Sequence, residues 1–196
     1  MSGRELTLLT EGSIELLGLI PRSSNQTFLV QVTCGEDEGY AVYKPEAGER
    51  PLSDFEPGLY KRERAAYLLS ESLGWGFVPP TVIREDAPLG AGSLQWFIDC
   101  DFQEHYFTLF EDAPETHSEL ARIALFDYIA NNTDRKSGHV LRGFDGRVWG
   151  IDHGLLKTSP RWPRPSPPNW RHCSTTTRSP PCSAVSSGCW SRERCR

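Results

Sequence analysis

The clearest pattern in the chain is an alternation of apolar and polar positions in the segment FLVQV. It places Phe28, Val30 and Val32 on one face, which predicts a half-buried strand. The polar turn CGEDEG follows, and YAVYK then predicts a return strand that ends at Lys44, before Pro45. Together these segments predict a β-hairpin.

A helical pattern follows the hairpin, from about Asp54 to Leu73, with Gly74 as a suitable terminating residue. Its apolar stripe begins at Leu59, and steps of four and three residues place Glu63 on the same stripe. An unpaired buried charge is costly, so a carboxylate there needs a partner. Two interpretations stay open: Glu63 faces the core with a partner, or it lies at the edge of the stripe in water.

The remaining pattern predicts strands over VPPTVIR and SLQWFID, a helix over SELARIALFDYIAN and a second hairpin over HVLRGFDGRVWGID. Thr116 and Glu119 predict a capping box before that helix, and Asp145–Gly146 the turn of the hairpin. The first residues of the chain, up to about Ile20, mix apolar and acidic positions and predict no clear element. This order of elements predicts an α+β fold rather than an alternating βαβ sheet.

The second hairpin brings chemistry-bearing side chains together. With Asp145 and Gly146 as the two central turn residues, the register pairs His139 with Asp152. Both side chains then lie at the open end of the hairpin, beside the polar loop that contains Asp134. Metal-assisted phosphoryl transfer needs such a set, in which one carboxylate orients a nucleophile and other groups hold a metal ion on phosphates.

The spacing of these residues matches a kinase pattern, in which a catalytic Asp precedes a metal ligand by five residues and a hairpin then leads to D-x-G. Asp134 precedes His139 by five residues, and the hairpin ends in the tripeptide 152–154, D-H-G. Kinases also pair a strand lysine with a helix acid, and Lys44 and Glu63 occupy those positions.

The segment ANNTDRKSGHVL…VWGIDHG resembles the catalytic and metal-binding loops of phosphatidylinositol 3-/4-kinase-like enzymes, whose pattern is N-x-D-R-x-x-x-N, a hairpin and I-D-x-G. AVYKP and RERAAYLLSESLGWGFVPPT resemble that family's small-lobe strand, its helix and the next strand. The body is most similar to an actinobacterial branch of uncharacterised proteins related to these kinases. The resemblance covers about residues 8–154. It implies a two-lobed kinase-like α+β fold, with 1–98 as the small ATP-binding lobe and 99–154 as the start of a large lobe that is mostly missing.

The resemblance also implies a role for each residue of the constellation. Asp134 would be the catalytic acid/base, with Arg135 beside it in the catalytic site. Asp152 would be the main Mg²⁺ ligand, and Lys44 would contact the phosphates of ATP while Glu63 braces it.

The nucleotide would have further contacts. The segment 23–27 occupies the place of the phosphate-covering turn, whose backbone N–H groups suit phosphate oxygens, and the segment 95–98 begins the adenine-contacting connection. His139 stands where a metal-binding Asn is expected; imidazole suits Zn²⁺ or Mn²⁺ better than Mg²⁺, and a purely structural role stays open. The residues implied in nucleotide binding are Lys44, Glu63, Ser24, Asn25, Gln95 and Phe97, and those implied in metal binding are Asp152 and His139.

Composition changes after Gly154. Residues 155–196 hold eight basic residues against one acid, a net charge of +7, whereas residues 1–154 hold 13 basic and 25 acidic residues, a net charge of −12. The segment also holds seven of the 15 prolines and four of the six cysteines, with too few apolar residues to offset chain entropy. We interpret 155–196 as a disordered basic tail, translated out of frame after a frameshift near residues 155–159. A metal or disulfide site at its cysteines, or binding of acidic partners, are the alternatives.

Charge and composition narrow the partners. The net charge of −5 argues against a basic nucleic-acid binder, and no apolar run is long enough for a membrane span. The N-terminus lacks the pattern of a signal segment, which predicts a cytoplasmic location where Cys34 and Cys100 are reduced thiols. The charge of −12 disfavours an anionic leaflet, so a protein or small-molecule acceptor is favoured over a lipid. The predicted function is ATP-dependent phosphotransfer; the alternative is a pseudokinase that serves as a nucleotide-binding or interaction module.

Overall fold

The computed structural model describes residues 3–21 and 23–157, and this part of the chain contains four α-helices and eight β-strands. The mixture of helices with antiparallel sheets confirms the predicted α+β class. The predictions for the tail beyond Lys157, including its disorder, the frameshift and its cysteine sites, lie outside the described residues. The elements are α1 (Gly3–Glu11), β1 (Ser13–Leu19), β2 (Phe28–Cys34), β3 (Asp37–Pro45), α2 (Leu59–Ser72), β4 (Thr81–Arg84), β5 (Gly92–Trp96), β6 (Cys100–His105), α3 (Tyr106–Asp112), α4 (His117–Ala130), β7 (Val140–Gly143) and β8 (Val148–Gly150).

The first sheet has five antiparallel strands in the order β1-β2-β3-β5-β4. The predicted hairpin is confirmed as β2 and β3, and Val30 and Val32 are fully buried on the face that the alternation assigned to them. Leu8 and Leu9 of α1 belong to the same core cluster. The sheet therefore has one apolar face packed against α1, and Lys44 lies on the other face because successive strand residues alternate.

Helix α2 begins at Leu59, five residues later than the apolar pattern predicted at Asp54. Gly58 precedes it with a φ of 99°, a left-handed conformation that glycine adopts without strain. The carboxylate of Glu49 accepts hydrogen bonds of 2.9 Å and 2.8 Å from the backbone N–H groups of Gly58 and Tyr60. A distant loop residue therefore caps the helix, and residues from Asp54 to Gly58 form the approach to it rather than its first turns.

The predicted helix after Thr116 is confirmed as α4, but the predicted capping box is wrong. A short 3₁₀ helix over Pro114–Thr116 runs directly into α4, so Thr116 already has a helical backbone. Its hydroxyl donates a 2.8 Å hydrogen bond back to the carbonyl of Ala113 and caps no N–H group of α4. Glu119 instead accepts a hydrogen bond from its neighbour Ser118.

The second sheet has the order β6-β7-β8, and its β7–β8 hairpin confirms the predicted element with a different turn. The loop is three residues, Phe144 to Gly146, instead of the predicted two. The N–H of Gly146 donates to the carbonyl of Gly143 at 2.8 Å, and Gly146 has a φ of 79°. This is the three-residue turn that ends in a left-handed residue, and it shifts the register to pairs such as Val140 with Gly150.

A second core lies among α2, α4, β7 and β8. Phe126 is fully buried there and meets Phe77 edge to face, with ring centroids 5.0 Å apart. Leu156 is 2% exposed in the same core and pairs with Asn132. The packed part of the chain therefore extends to Leu156, past the boundary expected after Gly154. None of the helices in residues 3–21 and 23–157 has both the length and the apolar character needed to cross a bilayer.

Candidate functional site

Lys44 lies between two carboxylates. Its Nζ is 2.5 Å from Oε1 of Glu63 and 2.8 Å from Oδ1 of Asp152. The lysine is on β3, Glu63 is on α2 and Asp152 follows β8, so three separate elements contribute. Glu63 is 2% exposed. The first interpretation of its position on the apolar stripe is therefore confirmed: it faces the interior and has a partner.

Glu63 also binds the chain that follows β8. Its second oxygen, Oε2, accepts a 2.9 Å hydrogen bond from the backbone N–H of His153. Both carboxylate oxygens thus have donors, which is the condition for keeping a buried carboxylate charged. The residue links β3, α2 and the segment that contains Asp152 into one unit.

His139 and Asp152 meet, although their predicted cross-strand pairing is off by one residue. The N–H of Ile151 donates to the carbonyl of His139, so Ile151 occupies the opposed position. A slip of one residue turns a strand side chain to the other face. Asp152, however, has a φ of 57°, which breaks the alternation after β8 and places its Oδ2 3.2 Å from Nε2 of His139.

One hydrogen bond of His139 places the proton of its neutral ring. Its Nδ1 accepts a 3.4 Å hydrogen bond from the backbone N–H of Lys136, so the proton lies on Nε2. Nε2 itself lies 3.2 Å from Oδ2 of Asp152. This nitrogen could bind a metal ion only after losing its proton.

The charges of the site are mutually dependent. Burial alone would lower the pKa of Lys44, but the carboxylates of Glu63 and Asp152 outweigh burial and raise it above the ordinary value. The Lys44 ammonium in turn holds the pKa of Asp152 well below its usual range. Burial lowers the pKa of His139, against the opposing effect of Asp152. At neutral pH the site therefore contains a cationic lysine, an anionic aspartate and a neutral histidine.

A cavity of about 420 Å³ lies against these residues. Asp134 lines it and forms an ion pair of 3.0 Å with Lys136, which lines it as well. The loop 23–27 forms another wall, and in it the side chain of Asn25 accepts a hydrogen bond from the N–H of Arg50. The structure thus brings together these sequence-predicted residues: Lys44, Glu63, Asp134, Asp152, Ser24 and Asn25.

Gln95 and Phe97 are not among the residues that line this cavity. Gln95 is 6% exposed, and its side-chain amide donates to the hydroxyl of Thr81, the residue it faces across β4 and β5. Phe97 lines a different cavity of about 730 Å³ together with Tyr40 and Trp96. Phe97 therefore lies at a cavity that Gln95 does not line.

Arg135 also does not line the Lys44 cavity, contrary to the expectation that it stands beside Asp134 in the catalytic site. Its guanidinium forms two 2.8 Å hydrogen bonds with the carboxylate of Asp127 on α4. Asp127 was not among the site residues predicted from the sequence. The available signal was an acid within the otherwise apolar end of the α4 segment, eight residues before Arg135.

Asp152 and its neighbours are the side chains to test for a fit to a metal ion. Across residues 3–21 and 23–157, no group of three or more His, Cys, Asp or Glu side chains is arranged to hold a metal ion. The pair of Asp152 and His139 offers one carboxylate and one imidazole. Protein-bound Mg²⁺ commonly takes only one or two carboxylates and completes its shell with waters and substrate phosphates. The donors present therefore fit a cation that arrives with a phosphate ligand.

The fold and site together define an α+β protein with a Lys–Glu–Asp cluster on the wall of a cavity, in which the Glu is buried and the other two side chains are partly exposed. No family model matches the chain. The chain is similar to Protein Rv2133c of Mycobacterium tuberculosis (strain ATCC 25618 / H37Rv), with 40% identity over 184 residues. The match covers 77% of this chain and 66% of that protein, slightly less than two thirds of its length. That protein's name states no activity, so the similarity by itself transfers no function.

Proposed function

We propose that the protein is an ATP-dependent phosphotransferase of the phosphatidylinositol 3-/4-kinase-like class, with the two-lobed architecture of that class. The observation that carries the proposal is the Lys44 ammonium, held by Glu63 and Asp152 on the wall of a cavity that Asp134 also lines. Kinases use a strand lysine paired with a helix acid, and the Asp of a D-x-G motif, to hold the phosphates of ATP. Residues 1–98 then form the small lobe, and the large lobe begins at residue 99.

Lys44 has the capacity to bind a phosphate. An ammonium group has three N–H donors, and two of them are used by Glu63 and Asp152. The lysine side chain is 20% exposed, so its third donor has access to a phosphate oxygen in the cavity. The loop with Ser24 and Asn25 lies against the same space, and its backbone N–H groups suit a second phosphate contact.

Asp134 is suited to the acceptor. Its side chain is 41% exposed, and Lys136 holds it at 3.0 Å. In the proposed reaction the carboxylate accepts a hydrogen bond from the acceptor hydroxyl, orients that oxygen and receives its proton. The expected acceptor is a protein or small-molecule hydroxyl, because the charge of −12 in residues 1–154 opposes binding to an anionic membrane surface. A cytoplasmic location is part of this proposal.

Asp152 would hold Mg²⁺ together with the phosphates, and His139 would be the second side chain near it. When bound, the cation neutralises phosphate charge during transfer. The imidazole makes Mn²⁺ the alternative cation, since nitrogen ligands suit it better than Mg²⁺. The role of the chain itself is to keep Asp152 ionised, through Lys44, and directed into the cavity.

A second candidate function is nucleotide binding without turnover, as in a pseudokinase that acts as an interaction module. The position of His139 favours it, because its Nε2 lies 3.2 Å from Oδ2 of Asp152, an oxygen that would otherwise serve the metal ion. Nucleotide binding by Lys44 does not require this oxygen. The two candidates therefore differ in phosphate transfer and agree in nucleotide binding.

Thermal unfolding and phosphate transfer from ATP radiolabelled at the γ-phosphate separate these candidates. A ligand at roughly 100-fold excess over its Kd stabilises the folded protein by about 2.7 kcal/mol. We expect ATP with Mg²⁺ or Mn²⁺ to raise the unfolding temperature of the wild type and of Asp134→Asn alike. We expect label incorporation by the wild type and by Asp112→Asn, an exposed control on α3, and a loss of roughly 100-fold in Asp134→Asn.

The outcomes differ for each candidate. Equal incorporation by the wild type and Asp134→Asn removes Asp134 from its role. Stabilisation by ATP with no transfer by the wild type favours the pseudokinase, and neither stabilisation nor transfer rejects both candidates.

A further inference from the structure

The guanidinium of Arg135 is the centre of a partly buried hydrogen-bond network that includes Asp127, His139, Ile151 and His153. Its Nε and Nη2 donate to the two oxygens of Asp127, each at 2.8 Å. The two side chains are 17% and 12% exposed. A two-point contact between a planar guanidinium and a carboxylate fixes orientation as well as distance. This pair therefore fastens the loop after α4 to the helix itself.

The remaining donors of Arg135 hold the β7–β8 hairpin at its open end. Nη1 donates to the backbone carbonyls of Ile151 at 2.6 Å and of His139 at 3.2 Å. Nη2 lies 2.8 Å from Nε2 of His153, which must accept because arginine only donates. The guanidinium thus contacts α4, the start of β7 and the segment after β8.

We propose that Arg135, oriented by Asp127, is a positioning residue that sets the separation of Asp134 and Asp152 across the cavity. This inference rests on the proposed function, and it differs from the expectation that Arg135 stands beside Asp134 in the catalytic site. We call the Asp127–Arg135 pair and its contacts to residues 139, 151 and 153 the clamp.

The chain positions of the two carboxylates explain how the clamp acts. Asp134 immediately precedes Arg135, so anchoring the guanidinium anchors the loop that carries Asp134. Asp152 lies between Ile151 and His153, and both of these neighbours bind the guanidinium. One rigid planar group therefore holds the backbone carbonyl before Asp152 and the imidazole side chain after it, and it belongs to the residue next to Asp134.

Only arginine has the donors for this arrangement. Its five N–H groups diverge in a fixed plane, whereas lysine has three donors on a single atom and cannot reach Asp127, two carbonyls and His153 together. Arg135→Lys therefore keeps the charge beside Asp127 and removes the geometry. Asp127→Asn alone would leave the guanidinium without its counter-ion. The double variant of Asp127→Asn with Arg135→Gln removes both charges together, so it is the better companion to Arg135→Lys.

The test uses the full chain and measures kcat, the KM for ATP and backbone hydrogen exchange. For Arg135→Lys we expect kcat to fall about 100-fold, because a displacement near 1 Å of a reacting group costs about that factor. We expect the KM for ATP to rise far less than kcat falls, within about tenfold, because Lys44 and the loop 23–27 keep their phosphate contacts while Asp152 is displaced. Hydrogen exchange should become about tenfold faster in residues 131–139 and 150–156 and stay unchanged in β2 and β3.

A matched control is Arg142→Lys on β7, whose partner is Glu115 at 3.3 Å; it should change neither kcat nor exchange. Unchanged kcat in Arg135→Lys, or unchanged exchange in residues 131–139 and 150–156, overturns the clamp. If the KM for ATP rises by the same factor by which kcat falls, the clamp is also overturned, because Arg135 would then serve ATP binding. If the wild type transfers no phosphate, the proposed function fails, and the exchange pattern alone decides whether the clamp holds the two segments.

Discussion

Removal of the charge of Glu63 is the most direct test of the cluster that Glu63 forms with Lys44 and Asp152. In Glu63→Gln the side chain keeps its size, and one of its two oxygens becomes an NH₂ group. In the wild type, Oε1 accepts from the Lys44 ammonium and Oε2 accepts from the N–H of His153. Whichever way the amide turns, its NH₂ group faces a donor. The substitution therefore loses one hydrogen bond and the ion pair at the same time.

The magnitude follows from burial. Removing one partner of a buried ion pair costs about 3–5 kcal/mol. The cost here is smaller, about 2–3 kcal/mol, because Lys44 is 20% exposed and keeps Asp152 as a second partner. A domain of 150–250 residues loses about 2–4 °C in Tm per kcal/mol. We therefore expect a fall in Tm of roughly 4–12 °C.

Urea unfolding followed by circular dichroism measures this loss as a free energy. Glu71→Gln on the exposed side of α2 is the matched control, and surface substitutions of this kind stay within about 0.5 kcal/mol of the wild type. A loss in Glu63→Gln that is no larger than in Glu71→Gln would refute the reasoning, because it would mean that the carboxylate has no stabilising contact with Lys44 and His153.

Three further predictions concern the second core and the β7–β8 hairpin. Phe126→Ala should lower the free energy of unfolding by about 3–5 kcal/mol in urea titrations, because Phe126 is fully buried against Phe77. Burial and Arg135 lower the pKa of His153 well below its usual value, so below about pH 6.5 the unfolded chain binds more protons and stability falls. Thermal unfolding in chelator-containing buffer at about pH 7.5 and about pH 5.5, which bracket the pKa of a free histidine, should show this loss of stability. The loss should be smaller in His153→Gln. Gly146→Ala should lower the free energy of unfolding by about 1 kcal/mol more than Gly138→Ala does. Gly146 has a φ of 79°, whereas the Cβ position at Gly138 is open. Equal unfolding midpoints of the two variants would contradict the strain argument.

Local periodicity accounts for the parts of the fold and site that the sequence predicted. The β2–β3 hairpin, α2 and α4 follow from repeats of two and near four residues, which need only the neighbouring side chains. The same spacing placed Glu63 on the apolar stripe and left open whether it faces the core, and the strand pattern placed Lys44 at the end of a strand. Their pairing was expected from the kinase pattern, and the structure places the two charged atoms 2.5 Å apart.

Features that depend on distant parts of the chain were decided by the tertiary structure alone. The start of α2 depends on Glu49, a loop residue that satisfies its first N–H groups. The pairing of His139 with Asp152 required a three-residue turn and a left-handed backbone at Asp152, and the local pattern specified neither. Arg135 lies next to Asp134 in sequence, yet its side chain binds Asp127 and the hairpin because a buried guanidinium must satisfy all its donors. Sequence periodicity indicated elements such as the β2–β3 hairpin and α4, whereas tertiary packing determined which side chains are buried together, Leu8 and Leu9 of α1 among them.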